Sequence, residues 1–288
     1  MARYKIIGDS CMDLTELMAA DKDTFSTVPL SLHVDEEVIM DDENFDQNSF
    51  LSLLKKSKSG PSTACPSPED FLKAFDCDAE DIYVVTITAK LSGTYNSACV
   101  ARDLYHEQHG DAKNIAVINS ASGCAGETRL GLFIKDLCEQ GLPFKEIERA
   151  ANEKAEKLQT FFVLQDMETL RKTGRLSGTA ARFATLLNIK PILFADHGEI
   201  KKFDTARSIE KALRRMCECC IEKAKEQLPI DGIKNELKAA IVHCNCPERA
   251  EAVKACLEKL ADFKEISIAS ARGVSTIYAS DGGIVIAI

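Results

Sequence analysis

Apolar positions along the chain follow two rhythms, and their order predicts most of the elements. Short β-branched runs, YKIIGDS from Tyr4, the segment from Ile82 to Ile87, and NIAVI from Asn114, read as buried strands. Between them lie runs of helical period. NSFLSLLKKSK begins with an asparagine cap, a second run passes through Phe71 and Phe75, and a third spaces Ala98, Ala101, Leu104 and Tyr105 by three, three and one. TVPLSLHV and EEVIM read as extended, with an acidic turn at Asp41-Asp42, and KSGPSTACPSPEDF is a polar loop with three prolines. A helix is expected from about Cys124 to Gln140. Strands alternating with helices predict parallel pairing through crossovers, an open α/β sheet.

After Gly141-Leu142-Pro143 another helix follows, PFKEIERAANEKAEKLQ, and then the pattern changes. Strand FFVL, short helices at METLRKTG and TAARFATLL, and extended KPILF lead to a turn at Asp196-His197-Gly198. A long amphipathic helix from Ser208 to Gln227, strand KAAIVH, helix CPERAEAVKACLEKLA, strand EISIA and a terminal strand GIVIAI complete the chain. At 288 residues two domains are expected, 1–155 and 156–288.

Composition narrows the function. Hydrophobic residues at 45% and charged residues at 28% describe ordinary globular protein. A net charge of −9 gives no global attraction to nucleic acid or to an anionic membrane. No run reaches the roughly 18 apolar residues of a spanning helix, and MARYKIIGDS lacks the apolar core of a signal peptide. A cytoplasmic location is expected. Two of the cysteine groupings, Cys217-Glu218-Cys219-Cys220 and His243-Cys244-Asn245-Cys246, invite a zinc reading. Neither sits in paired C-x-x-C knuckles, so the expectation is thiols used as small apolar filling, with no metal.

The candidate chemistry lies at the corner after Ile87. Ser92-Gly93-Thr94 joins a strand to a helix, where ligands gather in open α/β sheets and where unpaired N–H groups favour an anion. The corner lacks G-x-x-x-x-G-K-[ST], so it suits a carboxylate or a single phosphate better than a triphosphate. Plain capping by Ser92 or Thr94 is the competing reading. Four more clusters, Gly8-Asp9-Ser10, Ser62-Thr63, Asn119-Ser120-Ala121-Ser122 and Tyr278-Ala279-Ser280-Asp281-Gly282, make a site of neutral donors if they converge. Serine chemistry needs a histidine base, and only His243, at a strand end, is placed to serve.

The blocks GDSCMDL, STACPSPEDF, LSGTYNSA, VINSASGCAG and LRKTGRLSGTAARFATLLNIKPIL, in this order, resemble the signature segments of the DegV family of fatty-acid-binding proteins, over nearly the whole chain. The resemblance implies a two-domain α/β fold: a mostly parallel N-terminal sheet with flanking helices, then a C-terminal α/β layer with a mixed sheet. It implies a buried long-chain fatty acid such as palmitate, a role in lipid transport or fatty-acid metabolism, no further cofactor, and presentation of the carboxylate to a fatty acid kinase subunit for acyl-phosphate formation. On that resemblance Thr63 and Ser92 hold the carboxylate with the loop backbone at Gly93 and Thr94, and Arg171 and Arg175 belong to a basic segment for partner or phosphate contact. Tyr278 stands where the family often has histidine, with Asp281 close by, and Asn119 stands where it tends to have aspartate. A phosphoryl- or acyl-transfer enzyme using the same hydroxyls is the alternative.

Overall fold

The computed structural model describes residues 4–176, 189–226 and 236–288. The helix expected at TAARFATLL lies outside them.

Four parallel strands in the order β2-β1-β6-β7 form the N-terminal sheet: β1 (Tyr4–Asp9), β2 (Phe25–Val28), β6 (Asp81–Thr86) and β7 (Asn114–Asn119). Both faces are buried, which is why these strands read as continuous apolar runs. Ile7, Ile82, Val84 and Val117 pack with α3 (Pro68–Phe75) and α4 (Thr94–His109). Ile6, Tyr83, Val85 and Ile118 pack against α5 (Ala125–Glu139) and α6 (Phe144–Lys157).

The second sheet is mixed and six-stranded, in the order β10-β9-β8-β13-β11-β12: β8 (Thr160–Val163), β9 (Lys190–Asp196), β10 (Glu199–Ala206), β11 (Lys238–His243), β12 (Glu265–Ser270) and β13 (Ile284–Ala287). One face, with Phe161, Ile192, Ile241 and Ile286, meets α8 (Ile209–Lys225) and α9 (Pro247–Leu260). The alternate residues Phe162, Leu193, Val242 and Val285 face inward, toward the start of α5 and α7 (Glu168–Lys172). Helix α5 serves both sheets, and ten of its fifteen residues are buried. Cys217, Cys219 and Cys220 are buried within the α8 core, and all twelve thiols are free.

Three differences from the sequence reading matter for the site. TVPLSLHV is not one strand: Pro29 separates β2 from β3 (Ser31–Val34), which leaves for a small antiparallel sheet β4-β3-β5 with β4 (Glu37–Met40) and β5 (Ser62–Ala64). Helix α2 (Gln47–Lys56) is capped by Asp46, whose carboxylate accepts from Ser49 N at 2.7 Å, so the expected asparagine cap lies inside the helix. The segment before the last strand contains a short helix, α10 (Gly273–Ala279), that the pattern does not announce because Val274, Thr276 and Ile277 are β-branched. The presumed turn residue Asp41 is what holds it. Fully buried, its two oxygens accept Gly273 N and Val274 N, both at 2.8 Å, with the Arg272 guanidinium 3.7 Å away. Asp13 accepts Arg272 N and the Ser275 hydroxyl, both at 2.6 Å.

Replacing Asp41 by Ala should therefore lower stability by about 3 kcal/mol, since two buried donors lose a charged partner; a denaturant midpoint unchanged from wild type would contradict this. A second prediction concerns Lys154, pushed down to about 7 by burial and by the buried Arg129 guanidinium. The unfolded chain keeps that proton to near pH 10.5. The folded state is thus penalised below pH 7 and relieved as pH rises between the two values. Lys154→Met should be more stable than wild type at pH 6, by ~1 kcal/mol after allowance for solvent screening, with the gap closing by pH 10; thermal melts across that range measure it.

Candidate functional site

The corner after β6 is built from backbone. Thr88 O accepts Leu91 N at 3.0 Å and Ser92 N at 3.3 Å, which bends the chain before α4. Thr88 N donates to Ser122 O at 2.8 Å, and the Asn119 side-chain oxygen accepts Ala89 N and Ala121 N, each at 3.2 Å. The loop after β6 and the loop after β7 are thus one unit with Asn119 as its pivot. Gly93 occupies the cap position of α4 with no side-chain cap bond, and no acidic residue fills the first turn. Ser92 Oγ accepts Thr94 N at 3.4 Å, as plain capping expects, and lies 2.8 Å from Thr94 Oγ1. The helix start keeps the partial positive charge that suits an anion.

Thr63 sits on β5, paired in register with Leu32 of β3. Its hydroxyl lies 3.1 Å from the phenol oxygen of Tyr278 on α10. Residues from the proline loop and from the C-terminal region therefore touch, and they do so because Asp13 and Asp41 pin the helix that carries Tyr278. Burial raises Asp13 to about 7, and it raises Asp41 as well; the hydrogen bonds to α10 pull each the other way.

Behind these groups lies a cavity of about 320 Å³. Thr63, Cys65, Ser92, Gly93, Arg175 and Tyr278 line one part of it. Ile87, Leu91, Phe162, Leu164, Leu170 and Val285 supply apolar wall, the last four from the inward face of the second sheet and the adjoining α7. Ser122 and Thr160 also reach the wall, but Ser122 Oγ donates to Thr160 Oγ1 at 2.8 Å. Among the described residues Arg175 is the one charged side chain in the lining. Its Nε donates to Leu91 O at 3.3 Å and its Nη1 to Thr173 O at 3.1 Å, so it is braced against the same corner as Ser92.

Not every residue singled out from the sequence reaches the cavity. Thr94 is buried, outside the lining, with its hydroxyl turned to Ser92. Arg171 is exposed and holds Glu168 in a fork of 2.8 and 2.7 Å, outside the lining. Gly8-Asp9-Ser10 buttresses from behind: Asp9 accepts Ile87 N at 2.8 Å and Cys11 N at 2.9 Å, and Ser10 Oγ accepts Leu30 N at 3.0 Å. Asp281 faces Lys55 at 3.3 Å and Asn245 at 2.9 Å and does not line the cavity. His243 accepts Cys246 N at 3.3 Å on its Nδ1 and lies outside the lining as well. Of the cluster expected after β7, Ser122 reaches the lining; the residues that sequence reasoning passed over are Cys65, Thr88 and Thr160, and for Thr160 only strand-end position and hydroxyl chemistry were available as signals.

The fold and the site together describe an α/β protein with a largely apolar cavity bordered by hydroxyls and one cation. The family model described as an uncharacterised protein of the DegV family matches residues 3–288. The chain belongs to the DegV family. A DegV domain-containing protein of Streptococcus pneumoniae is 32% identical over 285 residues, covering 98% of this chain and 97% of that one. Among solved structures, a DegV family protein from Ruminococcus gnavus with vaccenic acid superposes with a TM-score of 0.91 at 38% identity, over the whole of both chains. The Fatty Acid Kinase B3 protein of S. pneumoniae, loaded with linoleic acid, gives 0.87 at 30% identity, covering 99% of this chain and 98% of that one. A Eubacterium eligens DegV family protein loaded with heptadecanoic acid gives 0.86 at 29%, with the same coverage.

Cys65 is exposed at the cavity while the other eleven thiols are buried or half-buried. A limiting dose of an alkylating reagent on native protein should therefore modify Cys65 first, read by peptide mass mapping. Cys11 and Cys124 also line the cavity but are buried or half-buried, so their earlier modification would contradict this order of accessibility.

Proposed function

We propose that the chain binds a long-chain fatty acid, tail in the cavity and carboxylate at the corner where β6 meets α4. The observation that carries this reading is the lining itself: apolar over most of its extent, with Ser122, Thr160, Thr88 and Ser275 hydrogen-bonded within the protein and Thr63, Ser92, Tyr278 and a single cation left to meet an anion. No carboxylate or histidine lines it among the described residues, so the lining favours an anion and offers no general base. In this arrangement Thr63, Ser92 and Tyr278 donate hydroxyl hydrogen bonds, the backbone at Gly93 and Thr94 adds helix-start N–H groups, and Arg175 neutralises the charge. Tyr278 donates where the family often has histidine, and it does so without acquiring a charge.

Magnitudes divide the labour. About 15 methylenes at ~0.8 kcal/mol each offer roughly 12 kcal/mol gross before ordering costs. Each hydrogen bond to a carboxylate adds about 1.5–3 kcal/mol and has to offset desolvation. Affinity comes from the tail and orientation from the head. The bound acid is then presented, carboxylate outward, to an ATP-dependent kinase subunit that forms the acyl phosphate, with Arg171 on the exposed face beside the corner as a contact for that partner. The resemblance to the S. pneumoniae protein named for a fatty acid kinase supports the partnership.

Protein purified without added lipid should release a C16–C18 acid on organic extraction, identified by mass spectrometry; a clean extract from folded protein contradicts the reading. Thr63→Ala with Ser92→Ala should weaken binding about 10- to 100-fold, the loss of two modest hydrogen bonds to a charge. Affinity equal to wild type in that double variant would move the head group elsewhere. Acyl phosphate made by the isolated chain with ATP would favour the transfer enzyme over the carrier.

A further inference from the structure

A second cluster adjoins the cavity, with Cys11 reaching its lining, apart from the residues of the hydroxyl corner. Asp9 at the end of β1, Cys11 in the loop after it and Glu127 in the first turn of α5 place a carboxylate oxygen, a thiol sulfur and a second carboxylate oxygen all within 4.8 Å of one another. All three residues are buried. Neither oxygen of Glu127 makes a well-formed hydrogen bond among the described residues, although the Cys11 thiol and Cys124 N lie close enough to favour its charge. A wholly buried carboxyl held this loosely is costly, and it calls for a counterpart.

The other two groups are already aimed. Asp9 is fixed through Cys11 N and Ile87 N, and the Cys11 sulfur accepts Cys124 N at 3.3 Å. Backbone donors that hold first-ring ligands while leaving lone pairs free are the usual outer support of a protein metal site. Charge argues the same way. Asp9, Asp13, Asp41 and Glu127 are all buried, and the guanidinium of Arg272 lies beside Asp41. No salt bridge joins Asp9 or Glu127 to a cation among the described residues.

We propose that Asp9, Cys11 and Glu127 form a structural site for a thiophilic divalent cation of the zinc class. One sulfur with two carboxylate oxygens excludes magnesium and calcium, which want oxygen alone in greater number, and suits zinc. Binding displaces the protons of the Cys11 thiol and the Glu127 carboxyl to solvent and forms one metal–sulfur bond and metal–oxygen bonds to Asp9 and Glu127. The ion ties the loop after β1 to α5 at the back of the cavity. Asp9 and Cys11 also support the cavity, through Ile87 N and a place in the lining, whereas Glu127 does not line it; loss of metal in Glu127→Gln with fatty-acid binding retained therefore separates this site from the fatty-acid reading.

The test uses the full chain expressed in medium supplemented with Zn²⁺, or with Co²⁺ as a spectroscopic stand-in. After dialysis against EDTA, elemental analysis should find about one metal per chain, since the site is closed to solvent. The Co²⁺ form should show the near-ultraviolet charge-transfer band of a thiolate ligand. Glu127→Gln, nearly the same shape, should reduce retained metal at least ~10-fold, and Cys11→Ser should abolish the band; Cys217→Ser should change neither. Metal below about one-tenth of an equivalent in wild type, or full retention in Glu127→Gln, overturns the proposal. If Cys11→Ser does not fold, the Glu127→Gln comparison decides alone. A variant that is more stable than wild type, in a protein that binds no metal, would show that Glu127 is simply a neutral buried acid.

Discussion

Two buried carboxylates, Asp13 and Asp41, hold the first turn of α10, and the candidate site depends on that grip. A seven-residue helix rich in β-branched side chains does not persist by itself, because its opening N–H groups have no partners and nucleation is costly. Here those groups meet carboxylate oxygens at 2.6 to 2.8 Å, from residues at the other end of the chain. The negative charge sits where the helix dipole favours it. Two segments remote in sequence are joined this way, and Tyr278 is delivered to within hydrogen-bond distance of Thr63. Removing the cost of burying two acids would remove the site with it.

The cavity shows a complementary division. Polar groups in the apolar wall are satisfied by one another, as Ser122 and Thr160 are, so a hydrocarbon passing them meets no unpaired donor. The groups with capacity to spare are concentrated at one corner: Ser92, the start of α4, the Thr63–Tyr278 pair and Arg175. Asp281, which sequence proximity placed beside the ligand, is instead engaged by Lys55 and Asn245, and its charge is spent outside. This distribution of satisfied and unsatisfied polarity makes the cavity amphipathic from end to end, and its shape alone does not.

Much of the fold was legible because the parallel strands are buried on both faces and announce themselves as apolar runs. The family blocks carried the rest of the architecture, down to the mixed second sheet, and the order of hydroxyl clusters was visible at strand ends. What the pattern concealed were features set by contacts remote in sequence. Asp41 reads as a turn residue next to Asp42, and only its distant partners at Gly273 and Val274 reveal it as an anchor. Helix α10 is hidden by its own β-branched composition, and Pro29 by an extended segment that looks continuous. Thr94 and Arg171 belong to the right segments, but local packing turned one toward Ser92 and the fork of Glu168 holds the other. The paired cysteine clusters drew the eye to metal chemistry, whereas the one ligand-like grouping among the described residues mixes a single thiol with two acids from three separate positions.

Helix α5 packs against both sheets. A helix with so little surface of its own is clamped by the parallel sheet on one side and the mixed sheet on the other, and the Asp136–Lys238 ion pair at 2.7 Å ties it to β11 as well. Opening the halves like a clamshell would strip α5 of one of its two packed faces. On the proposed reading the acid enters and leaves at the rim, where the three-residue edge strand β5 and the bend before α4 border the cavity.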